Sequence, residues 1–126
     1  LETRSDLDAS RVGITGFSLG GYVGLIATAV DQRIDGAVLM AFPYIPAAGG
    51  EERNYLASEI YAPGLLERNV LILAATEDHF YTVDQMNAFF ETIRSPKNEL
   101  IWLEGPHDFP ISSANFTRNW FSTDRF

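Results

Sequence analysis

The sequence predicts an α/β fold, a parallel sheet of about four strands flanked by helices, and three observations carry that expectation. The runs Ala37-Val38-Leu39-Met40-Ala41 and Val70-Leu71-Ile72-Leu73-Ala74 are apolar at every position, as strands are when helices cover both faces of their sheet. Strand-like and helix-like segments alternate four times along the chain, the pattern of parallel strands joined by right-handed crossovers. The third observation is Gly16-Phe17-Ser18-Leu19-Gly20, which reads as a strand reversing sharply into a helix.

The first ten residues are polar and without a clear period. Arg11–Thr15 is the first expected strand, with Val12 and Ile14 as its apolar positions. The first helix spans about Leu19–Val30. Its Gly20, Gly21, Gly24, Ala27 and Ala29 let the helix axis lie close to the strands, which outweighs a propensity cost of roughly 1 kcal/mol per glycine. After the turn Asp31-Gln32-Arg33 comes the second strand, Ala37–Ala41, broken by Phe42-Pro43-Tyr44. An excursion follows, with a helix expected from Glu51 to about Tyr61 and Pro63-Gly64 as its end. Val70–Ala74 is the third strand. The helix at about Val83–Arg94 carries Met86, Phe89, Phe90 and Ile93 at helical spacing, with Asp84 near its start and Arg94 at its end, as the helix dipole prefers. Glu99–Leu103 reads as a fourth, partly exposed strand, and a helix from about Ser112 to Phe121 closes the chain.

Composition narrows the classes of function. With 126 residues and 46% of them hydrophobic, the chain holds one domain, 1–126, with a real core. A net charge of -8, with only nine Lys and Arg and no run of them, argues against a nucleic-acid partner and for a small uncharged molecule or another protein. The absence of cysteine excludes a disulfide framework, a thiolate zinc site and a cysteine nucleophile. No stretch approaches the length of a membrane span, and no leader pattern opens the chain, which sets an expectation of a cytoplasmic protein without membrane partners. The chain opens on Leu1, which is expected of a processed product or a fragment of something longer.

Ligands of parallel sheets bind where the strands end at their carboxyl edge. Three of the four expected strands deliver a chemically capable residue there: Ser18, then Asp78, then His107, spaced 60 and 29 residues apart. A serine hydroxyl is a poor nucleophile at neutral pH, so a histidine must take its proton and a carboxylate must orient the imidazole. Glu77 and Asp84 are rival carboxylates. His79 is the competing histidine, and its adjacency to Asp78 predicts that it points away. Asp108 reads as a solvated loop carboxylate. Phe17, Phe42, Tyr44, Phe80, Tyr81 and Phe109 cluster near the ends of strands and would either wall an acyl pocket or pack in the core.

The Gly16-Phe17-Ser18-Leu19-Gly20 pattern resembles the nucleophile elbow of the α/β-hydrolases, and the order Ser, Asp, His is that family's order. The resemblance extends through Ala75-Thr76-Glu77-Asp78 and Gly105-Pro106-His107 to the last helix, and it covers only the carboxyl-terminal half of the family's fold. It implies Ser18 as nucleophile, Asp78 as orienting acid, His107 as general base and the Leu19 N–H as an oxyanion donor, with no cofactor and no metal. It further implies a serine hydrolase acting on a small-molecule ester or related acyl substrate, with a missing N-terminal half as partner to supply the second oxyanion donor. The same residues would serve a peptidase, a thioesterase or a dienelactone-type hydrolase. Two readings from other classes are a non-catalytic α/β binding domain and a flavodoxin-like domain holding a phosphorylated ligand at the first helix.

Overall fold

The structure, a computed structural model, describes residues 5–6, 8–47, 51–108 and 113–122, with the side chains of 51–53 set aside. Four strands, β1 (Gly13–Phe17), β2 (Gly36–Met40), β3 (Asn69–Ala75) and β4 (Glu99–Leu103), form one parallel sheet in chain order. The register aligns Thr15 with Val38, Val38 with Leu71 and Leu71 with Glu99. Parallel pairing in chain order puts the ends of all four strands on one edge.

Because alternate side chains leave a strand on opposite faces, the apolar runs of β2 and β3 feed two cores. On one face Ala37, Leu39, Val70, Ile72 and Ala74 pack with Leu25 of α1 (Leu19–Val30), Leu65 of α2 (Ser58–Leu65), and Met86 and Phe89 of α3 (Val83–Thr92). On the other, Val38, Leu71 and Leu73 meet Trp120 of α4 (Ser113–Phe121). Burial of this apolar surface, at about 25 cal/mol per Å², is what favours the layered arrangement. β4 is half-buried along its whole length, as its mixed sequence predicts.

Three of the departures from the sequence expectation have a cause in the surrounding contacts. β1 begins at Gly13 instead of Arg11, because the Val12 N–H donates to the Asp35 carboxylate at 2.8 Å and the ladder starts one residue later. The helix expected from Glu51 is a 3₁₀ turn, Glu51–Leu56, followed by a separate α2. Buried Ser58 divides them: its N–H donates to the Ile45 carbonyl at 2.8 Å and its hydroxyl accepts from the Ile45 N–H at 3.1 Å. Pro63 and Gly64 lie inside α2 instead of ending it. A Cβ on Gly64 would stand 2.3 Å from the Ala29 carbonyl oxygen, so the glycine is required by the close approach of α2 to the end of α1. At α3 the Thr82 hydroxyl accepts from the Gln85 N–H while the Gln85 side chain accepts from the Thr82 N–H, a reciprocal cap that starts the helix.

The Gly64 contact is backbone against backbone, so Gly64→Ala is expected to destabilise the protein by about 1–3 kcal/mol, as overpacked sites do. Urea unfolding followed by circular dichroism measures it, and an unchanged midpoint would show that α1 and α2 separate freely.

Candidate active site

The site is built from the turn that joins β1 to α1. Ser18 has φ 53° and ψ -123°, a conformation costly for a residue with a side chain, about 1–3 kcal/mol. The surroundings hold it there: the Ser18 N–H donates to the Met40 carbonyl at 2.8 Å, and its carbonyl accepts from the Tyr22 N–H at 3.1 Å. Gly16 is the device that permits the reversal, since a Cβ there would lie 2.2 Å from the Gly20 carbonyl oxygen. Gly21 is nearly as constrained, with the Met40 carbonyl and the Phe42 Cβ each 3.0 Å from where its Cβ would be. Gly20 differs from both, because a Cβ there would meet nothing within 4 Å among the described residues.

The turn aims the Ser18 hydroxyl at His107, with Oγ and Nε2 2.9 Å apart. On the other side of the ring, Nδ1 lies 2.8 Å from Asp78 Oδ2. A carboxylate only accepts, so this bond places the proton on Nδ1 and leaves Nε2 as the acceptor for the serine hydroxyl. The Asp78 side chain is 0% exposed and that of His107 13%, so water does not compete for this contact. The remaining Asp78 oxygen, Oδ1, accepts from the Phe80 N–H at 2.9 Å.

Of the rival carboxylates, Glu77 is exposed and is tied by its N–H to the Gly105 carbonyl at 2.9 Å, and Asp84 is exposed in the first turn of α3. Neither bonds His107 in this structure. His79 departs from expectation. Residues 78 and 79 lie beyond the turn at 76–77 that ends β3, where the alternation of a strand no longer applies, and the His79 ring lies 5.2 Å from that of His107 and 4.1 Å from that of Phe80. Phe17 and Phe80 also border the imidazole, with ring centres 5.1 and 5.0 Å away, and both are partly exposed. Phe42 is a correction: Ala41, at φ 43°, turns the chain so that Phe42 is fully buried edge-on to Phe89, 5.7 Å away, and it packs the core instead of walling a pocket. Tyr44 is half-buried and bonds Glu59; burial, with that carboxylate adding to it, pushes its hydroxyl up to about 12. Phe109 lies outside the described residues.

Leu19 is 67% exposed, and as the first residue of α1 its N–H has no partner within the helix. That N–H stands one residue beyond Ser18. Beside the relay, Phe17, Met40, Asp108 and Ser113 line a cleft of about 260 Å³. Among the described residues no group of carboxylates and imidazoles is arranged to hold a metal ion.

Tyr81 is the residue whose place the sequence does not disclose. It is buried, and its hydroxyl accepts from the Ala75 N–H, at the end of β3, at 2.8 Å. Burial pushes its pKa well above the usual tyrosine value; the Ala75 N–H opposes the shift, and the charge and hydrogen bonding of neighbouring Asp78 add to it. The hydroxyl therefore stays protonated beside the carboxylate. Only the curl of the chain after β3 brings it there, and aromatic character alone signals a wall or core residue.

The parallel sheet and the match of a family model together place this chain in the α/β-hydrolase superfamily. Within it, the chain belongs to the dienelactone hydrolase family, whose model matches residues 1–115. Among solved structures it is similar to an esterase of Pyrococcus furiosus, 18% identical with a TM-score of 0.66 over 90% of this chain and 51% of that one. It is also similar to an acylaminoacyl peptidase of Pyrococcus horikoshii, 21% identical with a TM-score of 0.68 over 85% of this chain and 21% of that one. An acylaminoacyl peptidase in complex with Z-Gly-Gly-Phe-chloromethyl ketone gives a TM-score of 0.77 at 19% identity, over 98% of this chain and 25% of its own. The chain thus spans about half or less of the length of these proteins. No curated protein sequence matches it.

The unequal glycines yield an expectation. Gly16→Ala should cost about 1–3 kcal/mol, since two stretches of backbone would have to part, whereas Gly20→Ala should be neutral or stabilising by up to about 1 kcal/mol through helix propensity. Denaturant unfolding of the two variants checks the order, and equal losses would show that the space beside Gly20 is needed.

Proposed function

We propose that the protein is a serine hydrolase that cleaves an ester or related acyl bond through an acyl-serine intermediate. The reading rests on one observation: the unbroken relay from Asp78 through His107 to Ser18, with contacts of 2.8 and 2.9 Å. In this mechanism Ser18 Oγ attacks the acyl carbon while its proton passes to His107 Nε2, and Asp78 steadies the imidazolium that forms. The Leu19 N–H faces the oxyanion. Nε2 then gives its proton to the departing alcohol, and a water activated by the same nitrogen releases the acid and restores Ser18.

A carboxylic ester of small or medium size is the substrate class this reading favours. Phe17 and Phe80 border the imidazole with apolar surface, and the cleft of about 260 Å³ suits a short acyl or alcohol group. No cofactor enters any step. A second oxyanion donor is assigned to an upstream half of the same fold, packed beside β1, which is the partner this reading requires; neither nucleic acid nor a membrane surface has a part in it. A peptide bond is the second reading, favoured by the fold likeness to two acylaminoacyl peptidases.

The full-length protein should be labelled at Ser18 by a fluorophosphonate probe, and Ser18→Ala should abolish labelling, as intact mass spectrometry would record. Labelling that persists in the variant would remove Ser18 from the mechanism. Replacing the buried carboxylate tests the relay separately. Asp78→Asn should lower kcat by up to about 10⁴, the loss known for the corresponding change in a triad of another fold, while Glu77→Gln changes it little. A larger effect at Glu77 would reassign the acid.

A further inference from the structure

We infer that the Tyr81 hydroxyl is a positioning group for the Asp78 carboxylate and acts through the backbone of the turn that carries it. The inference rests on the serine-hydrolase reading and adds a residue to it. Successive residues of a parallel strand turn their N–H and C=O groups alternately toward one neighbour and the other. Leu73 faces β2, where its carbonyl accepts from the Ala41 N–H at 2.9 Å, and Thr76 faces β4, where its N–H donates to the Leu103 carbonyl at 3.0 Å. Ala75 has the parity of Leu73 and faces the β2 side, but β2 ends at Met40, opposite Leu73. The positive φ of Ala41 then takes that chain away. The N–H of buried Ala75 thus points past the end of β2, where an unsatisfied donor would be costly. The Tyr81 hydroxyl stands in for the missing acceptor, at 2.8 Å.

That bond closes the segment 75–81 on itself, with Asp78 midway between its ends. On the β4 side the segment is held by the Thr76 and Glu77 N–H groups, bonded to the Leu103 and Gly105 carbonyls, and by the Thr76 hydroxyl, which accepts from the Gly105 N–H at 3.1 Å. Tyr81 fastens it from the other side. Its ring is buried in the core that holds Ile72, Ala74 and Met86, so the hydroxyl is a fixed point. The adjoining Phe80 N–H donates to Asp78 Oδ1 at 2.9 Å, while Oδ2 lies 2.8 Å from His107 Nδ1. Holding residue 81 therefore holds the amide that orients the carboxylate, and the carboxylate orients the imidazole. Burial, with the charge of Asp78 adding to it, keeps the phenol protonated. The fastening is thus neutral and does not repel the carboxylate it serves.

Tyr81→Phe in the full-length protein keeps the ring and removes only the hydroxyl. With 4-nitrophenyl acetate as substrate, kcat should fall by about ten- to a hundredfold, as small displacements of a catalytic group cause, while KM changes little. A double-mutant cycle separates positioning from general stability. In the Asp78→Asn background, where the carboxylate is already gone, Tyr81→Phe should cost about twofold or less, because residues that act through one another are not additive. The fastening itself is read without any variant, by hydrogen exchange of the unaltered protein, in which the Ala75 amide should be as protected as that of Leu73. An Ala75 amide that exchanges as freely as an exposed one, a Tyr81→Phe variant with the parent's kcat, a loss carried by KM, or the same fold-loss in both backgrounds would each overturn the inference. Turnover that survives Ser18→Ala would instead overturn the serine-hydrolase reading, so the two failures are distinguishable.

Discussion

Everything at the carboxyl edge depends on the contact between Gly16 and the Gly20 backbone. A side chain at position 16 would overlap the first turn of α1, and that approach acts with the Met40 and Tyr22 backbone bonds to hold Ser18 at φ 53°. The same closeness seats α1 on the sheet, because Gly21 admits the Met40 carbonyl and Gly24 admits the Leu39 side chain. Strain at one serine is thus maintained by packing spread over the helix and two strands, which is how a costly conformation persists in a folded protein.

The other half of the arrangement depends on burial. The Asp78 side chain is fully withdrawn from water, so its charge must be satisfied by the His107 ring and the Phe80 N–H. Those partners come from the turn that follows β3 and the segment that follows β4, and the turn is itself joined to that segment by the bonds of the Thr76 and Glu77 N–H groups to Leu103 and Gly105. The imidazole is therefore placed by backbone pairing between strand ends, and the ring contacts of Phe17 and Phe80 limit its rotation.

The sheet and the meeting of Ser18, Asp78 and His107 were readable from the sequence, because fully apolar runs mark central strands and each residue closely follows one of the four strands. What escaped depends on contacts between distant segments. Pro63 and Gly64 punctuate a local reading, yet Gly64 sits inside α2 because Ala29 presses against it. Phe42 and His79 were misplaced for a common reason: strand alternation ends where a strand ends, and the positive φ of Ala41 and the turn at Thr76-Glu77 each redirect the side chains that follow. Tyr81 gave no sign of its place beside Asp78, since hydrogen bonding of a phenol follows from where the chain curls and leaves no periodic trace.

The position of β1 in the sheet has a further consequence. β1 stands at one end of the strand order, with β2 as its partner among the described residues. An end strand offers its outward backbone groups to a further strand. The strand that leads into Ser18 is thus also the one open to extension, and a segment added beside it would come to lie alongside the strained turn itself.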